Sequence, residues 1–124
     1  IYVAYTLLHQ FKGGDMPEKA KRPVLFIVGA NCNDPAQEAE FNKWYEKTHI
    51  PEVFKLGGFI SANRYEIINP REGHPKFLAV YELEDEAAYN NFQEHTRKIR
   101  AGKEPNFTQG PPFTVTWIAG YRPI

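Results

Sequence analysis

FNKWYEKTHIPEVFKLGGFISANRY, residues 41–65, reads as helix, stop, connector and strand, and the other elements take their places around it. Phe41, Trp44, Tyr45 and Thr48 recur at the spacing of one helical face. Pro51 disfavours helical geometry in the residue before it, which predicts that the regular helix ends near His49 or Ile50. Residues 51–56 supply at most one more turn before Gly57-Gly58 stops it. From Phe59 onward the pattern switches to alternation. It sets Phe59, Ser61, Asn63, Tyr65 and Ile67 on one face, and Ile60, Ala62, Arg64, Glu66 and Ile68 on the other.

Upstream, Val24-Leu25-Phe26-Ile27-Val28 is a continuous apolar run, the signature of a strand covered on both faces. Asp34-Pro35 with Gln37 is a helix start: a cap, a proline at the first helical position and a polar partner beyond. Downstream, Asn69 to Pro75 is turn-rich, and Lys76–Leu83 forms a third strand in a hairpin with the second. Acid at Glu84-Asp85-Glu86 and base at Arg97, Lys98 and Arg100 bracket a second helix with Ala88, Phe92, Thr96 and Ile99 inward. After a loop with three prolines, Phe113–Tyr121 alternates again as a fourth strand, with Phe113, Val115, Trp117 and Tyr121 on one face. The order strand-helix-strand-strand-helix-strand is the ferredoxin-like βαββαβ arrangement, an α+β fold with a four-stranded antiparallel sheet and both helices on one face. Residues 16–124 form this single domain, and residues 1–15 are either a leader or a native extra element on its edge.

Two helices cover only one side of such a sheet. The strands nevertheless carry apolar and aromatic groups on both faces, Phe77, Ala79 and Tyr81 against Leu78 and Val80 in the third. The bare face therefore calls for a cover, and a second copy of the same sheet supplies one, giving a homodimer with a barrel-like centre. The alternative cover is the apolar segment of residues 1–11.

Fifteen basic and fifteen acidic side chains cancel, and no charge run suits a nucleic acid or a membrane surface. No apolar stretch reaches the roughly 20 residues that span a bilayer. The lone Cys32 excludes an internal disulfide and fits a reducing, cytoplasmic compartment; with no base beside it, it reads as a packing residue. The four histidines show no metal-binding spacing, and phosphate-cradling and nucleophile-elbow motifs are absent from the sequence.

His49 is the foremost candidate for chemistry: an imidazole at a helix end beside a chain break, with Tyr45, Asn63, Arg64, Tyr81 or Glu82 as partners for its tautomer. Its other reading is a cap for helix carbonyls or a prop for the Pro51 turn. Arg64 neutralises a carboxylate or enolate in a pocket, or pairs with Glu66 or Glu82 across the hairpin. Trp44, Phe59, Tyr65, Tyr81 and Trp117 are aromatic walls for a pocket or core.

The segments F41-N-K-W44-Y45-x-x-x-H49-I50-P51, G58-F59-x-S61-A62-x-R64-Y65 and P75-K-F-L-A-V-Y81-E82-L83 resemble the dimeric α/β-barrel superfamily, and within it the EthD-like proteins and their uncharacterised bacterial relatives. The resemblance implies a ferredoxin-like homodimer with a cleft between the sheet and the first helix of each subunit. His49 stands where a histidine ends the first helix in EthD-like sequences. The likeness further implies a small aromatic or carbonyl ligand handled without a cofactor by a lyase, isomerase, cyclase or monooxygenase. His49, Tyr45 and Arg64 would carry the chemistry, and Trp44, Phe59, Asn63, Tyr65, Tyr81 and Trp117 would bind the substrate. The superfamily's stress-type dimers and haem-degrading members define the rival expectations. Since fold does not fix function, the likeness sets only a prior.

Overall fold

The computed structural model describes residues 22–124; the segment 1–15, with His9, and the first residues of the expected 16–124 domain lie outside the described residues. Its strands are β1 (Val24–Cys32), β2 (Phe59–Glu66), β3 (Phe77–Leu83) and β4 (Phe113–Tyr121). They form one antiparallel sheet in the order β2-β3-β1-β4. With the helices on one face this is the ferredoxin-like fold expected from the element order.

Helix formation after β1 starts as the sequence dictates. Asp34 Oδ1 accepts from the Ala36 amide at 3.0 Å, and a 3-10 turn (Pro35–Gln37) leads into α1 (Glu38–Trp44). The end differs from the expected stop at His49 or Ile50. The chain widens into a single π turn (Tyr45–His49), in which the Ile50 amide reaches back to the Tyr45 carbonyl, and then continues as α2 (Ile50–Phe54). The reason is Pro51. A regular helix drives a proline ring against the carbonyl four residues earlier, here that of Lys47, and a wide turn at that point takes up the crowding. Helix α3 (Glu86–Arg100) is capped by Asp85, whose carboxylate accepts from the Ala88 amide at 2.8 Å.

The core lies between the helices and the sheet. Val24, Phe26, Val28 and Cys32 of β1 and Phe77, Ala79, Tyr81 and Leu83 of β3 meet Phe41, Tyr45 and Val53 on one side and Phe92 of α3 on the other. Phe92 packs edge-on against Phe26 (5.1 Å between centroids) and Phe59 (5.2 Å).

Two irregularities overturn the simple alternation. Between Phe59 and Ser61 the β2–β3 register slips, so Phe59 pairs with Leu83 and joins the helix-side face, while Ser61, Asn63 and Tyr65 pair with Glu82, Val80 and Leu78 of the open face. A second slip between Gly29 and Ala30 puts Phe113 opposite Cys32 and Trp117 opposite Gly29, on opposite sides of the sheet. Phe59 therefore does not share a face with Asn63 and Tyr65, nor Phe113 with Trp117. One residue of bulge reverses every side chain beyond it.

The open face runs through Leu25 and Ile27 of β1, Leu78 and Val80 of β3, and Trp117 and Tyr121 of β4, whose rings lie 6.3 Å apart. Trp117 and Tyr121 are more than 40% exposed, and the four aliphatic residues are half-buried. Among the described residues no helix is long and apolar enough to cross a membrane, and no group of His, Cys, Asp and Glu is arranged to hold a metal ion.

Candidate functional site

His49 closes the π turn, and that turn aims its ring at Trp44 and the loop of residues 104–112. The imidazole stacks on the Trp44 indole (4.9 Å, 22°) and meets Tyr45 (4.9 Å) and Phe107 (5.3 Å) edge-on. The loop is pinned above it at one residue. Thr108 donates its amide and hydroxyl to the Glu52 carboxylate at 2.9 and 2.8 Å, and its carbonyl accepts from Trp44 Nε1 at 3.1 Å. Gly110 lets the backbone lie flat on the indole; a Cβ there would stand 2.2 Å from the ring. What remains is a cleft of about 300 Å³ lined by Trp44, His49, Phe107, Gln109, Gly110 and Phe113 among others. This is the lower end of the size range of ligand sites.

Burial sets the electrostatics. It holds the His49 imidazole at about 4, well below its ordinary value, against a smaller upward pull from Glu52. The hydrogen bonds from Thr108 keep the Glu52 carboxyl below the usual carboxylate range. His49 Nδ1 is sealed and has no hydrogen-bond partner. Because the ring lines the cleft, Nε2 is the nitrogen that a ligand can meet. The depressed value also predicts an acid sensitivity. An unfolded histidine binds its proton near pH 6.5 and the folded one only near 4, so stability is complete above about 6.5 and falls as pH drops toward 4. The loss at the acid limit is about 3 kcal/mol. Urea unfolding at stepped pH should show it, and His49→Gln should flatten the curve over that window relative to the native chain.

The nine residues expected to form one site are not brought together. Trp44 and His49 line the cleft, and Tyr45 stands behind His49 in the core. Arg64 lies beyond Tyr45, its guanidinium 4.4 Å above that ring and Nη1 donating to Asn42 Oδ1 at 2.8 Å. It pairs with the helix rather than across the hairpin; Glu82 instead accepts from the Ser61 hydroxyl. Its side chain is only 9% exposed, and burial lowers its pKa. Tyr81 lies in the core beside Tyr45, and burial raises the pKa of both phenols. Phe59 is core, stacked on Phe54 at 5.6 Å. Asn63, Tyr65 and Trp117 belong to the open face, where Tyr65 and Trp117 border a separate hollow of about 430 Å³ with Leu78 and Pro75.

Sequence reasoning missed Glu52, Phe107, Thr108, Gln109, Gly110 and Phe113. For Phe107, Thr108, Gln109 and Gly110 the forewarning was the proline- and glycine-rich loop between α3 and β4, long enough to fold back over an earlier element; Glu52 and Phe113 stand on α2 and β4 with no such signal.

Similarity to known proteins is partial. Over 70 residues the chain is 31% identical to "Core atranone cluster (CAC) protein 1" of Stachybotrys chlorohalonatus, a match that covers 56% of this chain and 30% of that protein. The chain thus spans under a third of the length of that curated relative. Among solved structures, the haem degrader MhuD of Mycobacterium tuberculosis, with two haems bound in its active site, superposes with a TM-score of 0.48 at 14% identity, over 81% of this chain and 94% of that one. A conserved protein from Methanosarcina mazei Go1 gives 0.47 at 19% identity, over 85% and 97%. Residues 24–110 match the model of the family described as "Domain of unknown function (DUF4286)", and the chain belongs to that family.

Proposed function

We propose that the chain is a cytoplasmic, EthD-like homodimer whose His49 clefts each bind a small aromatic or carbonyl metabolite and move a proton on it without a cofactor. The observation that carries this reading is the His49 imidazole, neutral near pH 7 and walled by Trp44 and Phe107 under a pinned loop. With its proton on Nδ1, the neutral imidazole accepts a hydrogen bond or a proton through Nε2. As a base near 4 it is weak, and each unit of pKa gap to the substrate costs about 1.4 kcal/mol. It suits a proton already acidified by a neighbouring carbonyl or aromatic ring. Tyr45 and Arg64 act behind it, the guanidinium on the phenol face and the phenol edge against the imidazole, holding the ring in place.

Pairing of two open faces supports the homodimer. Tyr65, Leu78, Gly29 and Trp117 align in one row across all four strands, an apolar band that a second sheet would bury. His49→Gln tests the chemistry. Turnover or binding of aromatic and carbonyl compounds should disappear, while circular dichroism and subunit mass stay as in the native chain. Unchanged activity removes His49 from the chemistry, and an inert native chain points to a stress-type dimer. A Soret shift on adding haem that survives in the variant would support haem binding elsewhere.

A further inference from the structure

We infer that the His49 cleft selects uncharged, hydroxyl-bearing aromatic or enolic ligands and rejects aryl carboxylates; this rests on the function proposed for that cleft. The described residues that line it include no Lys or Arg. Arg64, the cation expected to meet an anionic ligand, lies beyond the Tyr45 ring, donates to Asn42 and has no place in the lining. The charge beside the cleft is of the other sign: the Glu52 carboxylate holds the loop at Thr108 and acts on His49. Lys55 is close enough to Glu52 to act on it but does not line the cleft.

A carboxylate entering this space would give up its water for aromatic and proline surface with no countercharge, which is unfavourable. A hydroxyl gives up less and bonds to His49 Nε2 in either tautomer, donating to the bare nitrogen or accepting from its N–H. The Trp44 indole and the Phe107 and Phe113 rings favour a flat partner, and the amide of Gln109 offers a neutral donor and acceptor.

The probes are 2-naphthol and 2-naphthoate, alike in ring system and opposite in charge state near pH 7. Each is titrated into the full chain while NMR tracks the His49 ring signals, assigned by their loss in His49→Gln. Naphthol should move those signals and bind at least ten-fold more tightly than naphthoate. Gln109→Arg, which supplies the missing cation, should narrow or reverse the ratio. Naphthoate binding as tightly as naphthol, or a ratio unmoved by Gln109→Arg, overturns the charge selection while leaving the cleft as a ligand site. His49 signals still under both probes overturn the selection and the ligand site together.

Discussion

Replacing Phe41 by alanine should lower the unfolding free energy by about 3–5 kcal/mol, the range for truncating a buried aromatic ring. Phe41 is fully buried and is the point where three parts of the molecule meet. Its ring packs on Trp44 and Tyr45 of its own helical segment, Phe77 of β3 and Phe113 of β4, with centroids 5.3–6.2 Å apart. The Arg64 guanidinium lies 5.4 Å from its ring centre. Alanine would leave a cavity on which none of these neighbours can easily close, because each is held by another contact. Urea denaturation at one fixed protein concentration, so that any subunit association is held constant, measures the loss. A cost below about 1 kcal/mol, the range of ordinary surface changes and their near neighbours, would mean that α1 does not pack on the sheet this way.

Val80→Glu should have the largest effect on assembly. Val80 is mid-strand in β3, opposite Ile27 on one side and Asn63 on the other, and points away from the helices. In a lone chain it is half-buried at the open face, where a carboxylate can reach water at small cost. In a sheet-to-sheet dimer the same carboxylate sits in an apolar layer, and a two-fold axis brings in a second one. Light scattering should show the native chain at two subunits and the variant at one at micromolar concentration. The dissociation constant should rise at least 100-fold, equivalent to about 2.7 kcal/mol. A native chain already at one subunit, or a variant that associates with native affinity, would remove the open face as the contact surface.

Elements with a repeating pattern are legible in the sequence. The β4 bounds Phe113–Tyr121, the Asp34 start and the acid run that opens α3 come from alternation, capping chemistry and the helix dipole, all local properties. Single-residue events are not legible. The slips at Phe59/Ser61 and Gly29/Ala30 insert one residue into an otherwise unbroken alternation, and the stretch on either side looks the same whether the slip is there or not. Alternation alone therefore puts Phe59 on the wrong face. His49 can be read at a helix end because Pro51 marks it, although the π turn that seats it on Trp44, five positions back, leaves no mark. The other wall of their cleft cannot, since the Trp44–Thr108 bond joins residues 64 positions apart. Arg64 is ambiguous for a related reason. Acidic groups stand close along the hairpin, but its side chain emerges on the face that looks toward Asn42.

The wide turn at Tyr45–His49 makes helix winding, and not only side-chain identity, a determinant of where the imidazole lies. Each residue of a regular helix advances the angular phase by about 100°. The wide turn spends five residues on roughly the sweep that four cover elsewhere, so Trp44 and His49, five apart, share a face; in an unbroken regular helix the same five steps would leave them about 140° apart. A related chain can thus keep both letters at this spacing and yet, where its helix runs on without the wide turn, point that histidine away from the indole.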